Sequence, residues 1–461
     1  MKKTLALLLF LIPLAVPAHA YKEPVHVAIS RAAFDRMTVN LVAKTGYDLN
    51  TVVGGSSLRA LVAQGSWDQD AGLNALNHFY DPTAGAGLSV PVAGCLNVGQ
   101  SARVWAAVGV GNPNSTPAAR TYLAQALMLQ NKAARKEALG RAFSALGHSI
   151  HLVQDMAQPE HTRNDQHLIG SEWLFDDAPE ASLYEEWALT HLVPPAAVSY
   201  DGYPNVSLPS TLDYFGDGLS RGLAEFANAN YVTQDTNYDD EMRAGRCYYH
   251  PAAPRLDAAV PRTQIVDEAV RDAAGNTFTV TVIERIYTSF PRDFYQPTSD
   301  TDPNHTFHSA VDLETREITG PKFSLADQSY LSRAALLIPR AVGYSAGYLD
   351  HFFRGSISVQ WAPVADSTPK RYNITVTNTS AEPIRAGAVL TIAYVAGQKY
   401  LRTTADDDMA LILSRDLAEL APGASQTFND VSVPYLREDD DIRAFERHAV
   451  VRGTLGEEYN D

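Results

Sequence analysis

The chain has 461 residues, 45% of them hydrophobic and 20% charged, with 37 basic against 53 acidic side chains and a formal net charge of −16. That apolar fraction excludes a disordered or low-complexity chain, and the length allows about two or three domains of roughly 100–200 residues. The acidic balance excludes broad non-specific nucleic-acid binding, which needs Lys and Arg to displace phosphate counterions, so no stable nucleic-acid partner is expected.

Residues 1–20 read as a signal peptide rather than as part of the fold. Lys2 and Lys3 form a short basic region, residues 5–16 an apolar run too short to span a bilayer, and Ala18-His19-Ala20 an A-x-A cleavage site. Cleavage after Ala20 predicts a secreted or periplasmic product that begins at Tyr21. No later stretch is apolar enough for a membrane helix. The two cysteines, Cys95 and Cys247, allow one disulfide in an oxidising compartment or two separate thiols.

Residues 21–354 read as a mainly α domain. Between residues 120 and 156, Leu139, Phe143, Leu146, Ile150 and Val153 recur at helical spacing and make one helix side apolar. A polar insertion, about residues 200–324, contains two extended runs, 264–271 and 277–287, joined by the turn-rich segment 272–276; these predict a β-hairpin. From about 325 to 353, Leu331, Ala335, Ile338, Val342 and Leu349 predict a second core helix, kinked at Pro339. Residues 355–461 change pattern. Short β-rich runs at 356–361, 371–377, 388–395, 425–433 and 449–455 are spaced as in an all-β sandwich.

The chemistry-bearing residues lie in the first half. His151 and Asp155 stand at i and i+4, so one helix face presents an imidazole and a carboxylate together, and Pro159 and His161 follow at the helix end. Neutral imidazole nitrogen and carboxylate oxygen suit zinc. Alone, such spacing is better explained by two solvent-facing polar residues and a turn histidine. His26, His78, His148, His151, His161 and His167 all precede position 170, however, interleaved with Asp68 and Asp70 and followed by Glu185 and Glu186.

The run His151-Leu-Val-Gln-Asp155-Met-Ala-Gln-Pro-Glu-His161 resembles the H-x3-D-x5-H signature of the superfamily that holds bacterial zinc-dependent phospholipases C and fungal single-strand nucleases. Gly65-Ser-Trp-Asp-Gln-Asp70 with Asn77-His78-Phe-Tyr-Asp-Pro82 looks like that family's second segment. Tyr184-Glu185-Glu-Trp187 is similar to its last carboxylate element, and His26 matches its first-helix ligand. The resemblance spans residues 21–187 in ordered motifs, continues more weakly to 353, and leaves the C-terminal domain outside.

The resemblance implies a multi-helix, zinc phospholipase C-like domain carrying two or three Zn2+ ions. His151, Asp155, His78 and Asp70 would hold one ion, and Asp155 would bridge to another held by His26 and by the backbone amino nitrogen and carbonyl oxygen of Tyr21. His161 and Glu185 would serve the remaining ion. The family usually places a histidine four residues before that glutamate, where this chain has Ala181; His167 is the natural substitute, His191 a weaker one, and a surface histidine the plain alternative. His148, on the His151 face but outside the signature, fits a hydrogen-bond role behind the ligands. Asp68 and Glu186 read as neighbours of better candidates, and the acidic runs 406–408 and 439–441 as solvated loops rather than calcium sites.

The resemblance further implies a phosphodiester hydrolase in which a zinc-activated water attacks and Asp70, while ligating, orients or deprotonates it. A phospholipase C releasing diacylglycerol and a phosphorylated head group is the first expectation. It gains from the export signal and from a C-terminal domain that resembles, in arrangement, a membrane-contacting second domain. A single-strand nuclease and a secreted binding or adhesion protein with a vestigial metal site are the alternatives.

Overall fold

A computed structural model describes residues 23–91, 95–165, 182–193, 197–231, 233, 261–271, 277–287, 305–311, 318–324, 327–365, 367, 370–396, 408–437 and 439–458. The signal segment, Tyr21, His167, Ala181, the loop 272–276 and Cys247, hence any pairing with Cys95, lie outside the described residues.

The first part of the chain is built from helices α1 (Glu23–Asp35), α2 (Leu41–Thr45), α3 (Leu58–Asp68), α4 (Ala102–Ala107), α5 (Thr116–Met128), α6 (Lys132–Asp155), α7 (Pro159–Thr162), α8 (Leu183–His191), α9 (Leu223–Asn230) and α10 (Asp327–Phe352). Small hairpins β1–β2 (Val52–Val53 and Ser56–Ser57) and β3–β4 (Ser89–Pro91 and Cys95–Asn97) sit between them. Most starts carry side-chain caps that satisfy a first-turn amide: Ser57 for α3, Ser115 for α5, Asn131 for α6 and Ser182 for α8. α6 is the centre of this domain, with α3, α5, α4 and α10 packed around it and α1 bridging α3 and α10.

The segment 120–156, expected as one helical stretch, is two helices. Leu129 turns to extended backbone and Asn131 starts α6 afresh, its side chain accepting from the Ala134 amide. The apolar residues of α6 are where their spacing puts them: Leu139, Phe143, Leu146, Ile150 and Val153 are fully buried. Its last turns are buried all round, so His151 and Asp155 face protein rather than solvent. Close approach of α3 permits this. A Cβ on Gly147 would stand 2.2 Å from the Val62 carbonyl oxygen, and one on Gly65 would stand 2.1 Å from that of Ser144; only glycine lets the two backbones touch there.

On α10 the buried face is shifted from the expected one. Leu331 is 42% exposed and Ala335 is exposed, while Ala334, Leu337, Ile338, Ala341, Val342 and Leu349 enter the core; the helix runs on through Pro339. The expected hairpin is half of a larger sheet. β5 (Pro261–Arg271) and β6 (Thr277–Tyr287) continue into β7 (His305–Val311) and β8 (Ile318–Ser324), antiparallel in the order β5-β6-β7-β8.

The C-terminal part is mostly strands: β9 (Ile357–Pro363), β10 (Arg371–Asn378), β11 (Val389–Val395), β12 (Met409–Asp416), β13 (Ser425–Ser432) and β14 (Arg447–Arg452). They form two three-stranded antiparallel sheets, β13-β10-β9 and β12-β11-β14, whose facing side chains, such as Ile374, Val376, Leu390 and Ile392, share one apolar cluster. β10 alternates half-buried and buried side chains as a half-covered strand should. β12 was not expected, and the last strand begins two residues before the expected run.

The two parts are joined by specific contacts. Asp408, expected in a solvated loop, is buried and accepts from the Lys132 amide at 3.2 Å, placing a carboxylate at the positive end of α6. Glu458 meets Arg120, Arg354 and His351.

Candidate metal centre

Six described elements converge on one buried point. α1 supplies His26, and Asp70 follows the end of α3. A 3-10 turn, Gly72–Asn77, delivers His78, and the last turn of α6 presents His151 and Asp155 on one face. α7 brings His161 and α8 brings Glu185, whose amide is held by the Ser182 cap at 3.3 Å. His26, His78, His151, Asp155 and His161 are fully buried, and Asp70 and Glu185 nearly so.

Four of these residues form a closed ring of contacts. His78 Nδ1 is 3.4 Å from Asp70 Oδ1 and 3.5 Å from Asp155 Oδ2; His151 Nε2 is 3.4 Å from Asp70 Oδ1 and 3.5 Å from Asp155 Oδ1. His26 Nε2 adds a contact of 3.4 Å to Asp155 Oδ1. These separations exceed the roughly 2.7–3.2 Å of an N–H···O hydrogen bond, and neither oxygen of Asp155 accepts one. Two donors each about 2.0–2.1 Å from a tetrahedrally bound ion stand roughly 3.3 Å apart. The ring therefore has the dimensions of donors sharing an ion rather than of a hydrogen-bonded ion pair.

Three sets of donor atoms lie within 4.8 Å of one another: His26, His151 and Asp155; Asp70, His78 and His151; His78, Asp155 and His161. Asp155 belongs to two of them, its Oδ1 turned to His26 and His151 and its Oδ2 to His78. His161 Nε2 is 3.8 Å from Glu185 Oε1.

The outer nitrogen of each imidazole meets an acceptor, which turns the inner nitrogen's lone pair toward the carboxylates. His151 Nδ1 lies 2.6 Å from the Ser66 carbonyl, His161 Nδ1 3.2 Å from the His78 carbonyl, and His78 Nε2 3.3 Å from the Gln69 carbonyl. His26 Nδ1 lies 2.8 Å from Gln154 Oε1, while Gln154 Nε2 donates to Ser30 Oγ and fixes the amide's orientation. The His26 ring also stacks on that of His151 at 3.7 Å, and His161 stacks on Phe79 at 4.4 Å.

The electrostatics point the same way. Burial, with Asp70 and Glu185 beside it, pushes the Asp155 carboxyl well above the ordinary carboxylate range. Three carboxyl groups gathered in the interior ionise together only beside compensating positive charge. The cluster can bind a metal ion.

Of the other expected residues, His148 is buried behind the ligands, where its Nδ1 meets Gln69 Oε1 at 2.8 Å; burial lowers its pKa to about 4, so it stays neutral. Asp68 accepts from Gln64 at the surface, Glu186 is exposed, and His191 is exposed and bonded to its own helix at the Trp187 carbonyl. Asp441 caps a 3-10 turn instead of gathering ligands, and Arg443 holds its carboxyl down at about 2. The supporting residues Gln154, Gln69, Ser66 and Ser30 were not anticipated. Gln154 and Gln69 had one local signal, a polar residue directly before a ligand in a segment that buries everything around it.

Comparison of the chain with family models, with curated proteins and with solved structures gives no match.

Proposed function

We propose that this chain is a zinc-dependent phosphodiester hydrolase of the phospholipase C type. The single observation that supports it best is the ring of contacts at 3.4–3.5 Å among His78, Asp70, His151 and Asp155. The donors are imidazole nitrogens and carboxylate oxygens, the set that suits zinc, and the sequence resemblance already connects these residues with phosphodiester cleavage.

His78, His151, Asp70 and Asp155 would hold the first ion; His26, with Asp155 as bridge, a second; His161 and Glu185 a third. Bound zinc would make water nucleophilic near neutral pH and offset charge on the phosphoryl oxygens. Asp70 turns Oδ1 to His78 and His151, and its second oxygen is assigned to orient the attacking water and accept its proton. Asp155, with one oxygen toward His26 and His151 and the other toward His78, would serve both ions from a fixed place on α6. The outer hydrogen bonds of His26, His78, His151 and His161 keep each ring in the ligating tautomer. Water would add to phosphorus and give its proton to Asp70, and the glycerol oxygen, taking that proton as its ester bond to phosphorus breaks, would leave as the hydroxyl of diacylglycerol.

The purified chain, loaded with zinc, is assayed on phosphatidylcholine, phosphatidylglycerol and single-stranded DNA beside His151→Ala and Asp155→Ala. Lipid hydrolysis by the parent, with zinc and activity lost in both variants, is expected. Full activity in the variants overturns the assignment; cleavage of DNA alone selects a nuclease.

A further inference from the structure

Arg333 is a buried arginine that, among the described residues, has no carboxylate paired with it. Its side chain is 2% exposed, and its Nε and Nη1 atoms are buried without a hydrogen-bond acceptor. Among the described residues no carboxylate pairs with it; its one contact of electrostatic kind is the Tyr231 ring, 5.7 Å from the guanidinium carbon. Other buried arginines in this domain are provided for. Arg163 Nη1 donates to the Asn228 carbonyl at 2.5 Å, and Arg135 Nη1 donates to the carbonyls of Leu129 and Gln130.

A guanidinium only donates hydrogen bonds, so burial without acceptors leaves N–H groups of Arg333 unsatisfied. A ring face at that distance offsets only a small part of the desolvation. The position is also specific. One turn before Arg333, Tyr330 packs against Tyr184 and Trp187, the residues flanking Glu185 on α8. Tyr231 follows α9, which packs on both α10 and α7, the helix of His161. The guanidinium is thus set among the elements that carry His161 and Glu185.

We infer that Arg333 binds a phosphoryl oxyanion. A planar fork of N–H donors matches the oxygens of a phosphate or phosphodiester, and a buried, positioned fork binds one with little ordering cost. The inference deepens the hydrolase reading and rests on it for the identity of the anion: the phosphoryl group of the substrate or of the released head group.

The test is a calorimetric titration of the zinc-loaded full chain with inorganic phosphate and, separately, with dimethyl phosphate. The parent binds at least one of them; the tighter one tells whether the site favours the diester or the free phosphate. Arg333→Met should weaken that binding at least tenfold at unchanged zinc content. Arg333→Lys, which keeps the charge and loses the fork, should weaken it severalfold and covers the case in which the Met variant does not fold. Undiminished binding in a folded variant, or no binding by the parent, overturns the inference. Lipid hydrolysis is measured on the same samples: a parent that binds phosphate through Arg333 yet hydrolyses nothing refutes the hydrolase and keeps the anion site, and the reverse result does the opposite.

Discussion

Gln154 holds His26 from the far side of the metal cluster: its side-chain oxygen lies 2.8 Å from His26 Nδ1, one residue before the carboxylate that faces Nε2 of the same ring. An amide oxygen only accepts, so His26 carries its proton on Nδ1 and offers the Nε2 lone pair to an ion. Gln154→Ala keeps every ligand and removes this constraint. Zinc affinity at the His26 subsite should fall about 10–100-fold, the usual cost of losing a hydrogen bond behind a ligand. Competition with a chromogenic chelator measures it; wild-type affinity would show that the ring is held by its stacking on His151 alone.

Asp155 and Glu185 are both buried carboxylates, yet they should differ in how many ions they hold. Asp155 belongs to two donor sets, whereas Glu185 belongs to none of the three and meets His161 at 3.8 Å. Asp155→Asn is therefore expected to release ions from two subsites and abolish hydrolysis. Glu185→Gln should release one ion and leave the ring of His78, Asp70 and His151 loaded. Metal content per chain after exhaustive dialysis decides the matter. Equal losses in the two variants would mean that Asp155 does not bridge.

The contact of α3 with α6 predicts opposite outcomes for two glycines on one helix. A Cβ at Gly147 would lie 2.2 Å from the backbone oxygen of Val62, which cannot yield without moving α3. Gly147→Ala should cost about 1–3 kcal/mol, with lower metal content as well, because His151 and Asp155 ride on α6 and Asp70 directly follows α3. At Gly140 the nearest atom is a Val53 methyl at 3.1 Å, a side chain that can turn away. Gly140→Ala gains up to about 1 kcal/mol of helix propensity and should be neutral or slightly stabilising. Thermal melts and zinc content of the two variants separate these effects.

His151 and Asp155 were legible because the i, i+4 relation is local: a helix puts them on one face wherever the chain later packs. Distance in sequence hid the residues that support the ligands. That Gln154 serves His26, and Gln69 both His78 and His148, follows from the docking of α1 and α3 on α6, which no spacing records. β12 escaped notice because its Met-Ala-Leu-Ile-Leu run lacks strict alternation, its early residues being covered by neighbouring structure. The break between α5 and α6 was equally hidden. Asn131 is a common cap, but its capping shows only once Leu129 leaves the helix and Met409 donates to the freed Gln130 carbonyl at 3.0 Å. Leu331 misled in the other direction, since an apolar residue at the right period can still face outward when neighbours fill the core.

Glu458 sets the acid limit of the contact between the two parts of the chain. Burial raises its pKa, but His351, whose Nε2 lies 3.5 Å from the carboxylate, and the charges of Arg120 and Arg354 outweigh burial and hold the carboxyl at about 2, down from the ordinary 4.5. A folded-state pKa below the unfolded one means that the ionised form stabilises the fold. That contribution is complete above about pH 4.5, declines as pH falls toward 2, and is on the order of 3 kcal/mol at neutral pH. Glu458→Gln should therefore destabilise strongly at pH 7 and progressively less as the pH falls toward 2. It also leaves Arg354, whose Nη2 lies 2.7 Å from the carboxylate, facing a neutral amide. Urea midpoints of parent and variant at pH 7, 4 and 2.5 test the sign: the gap between them should narrow with acid. A gap of constant size would assign the effect to packing of the Glu458 side chain instead of its charge.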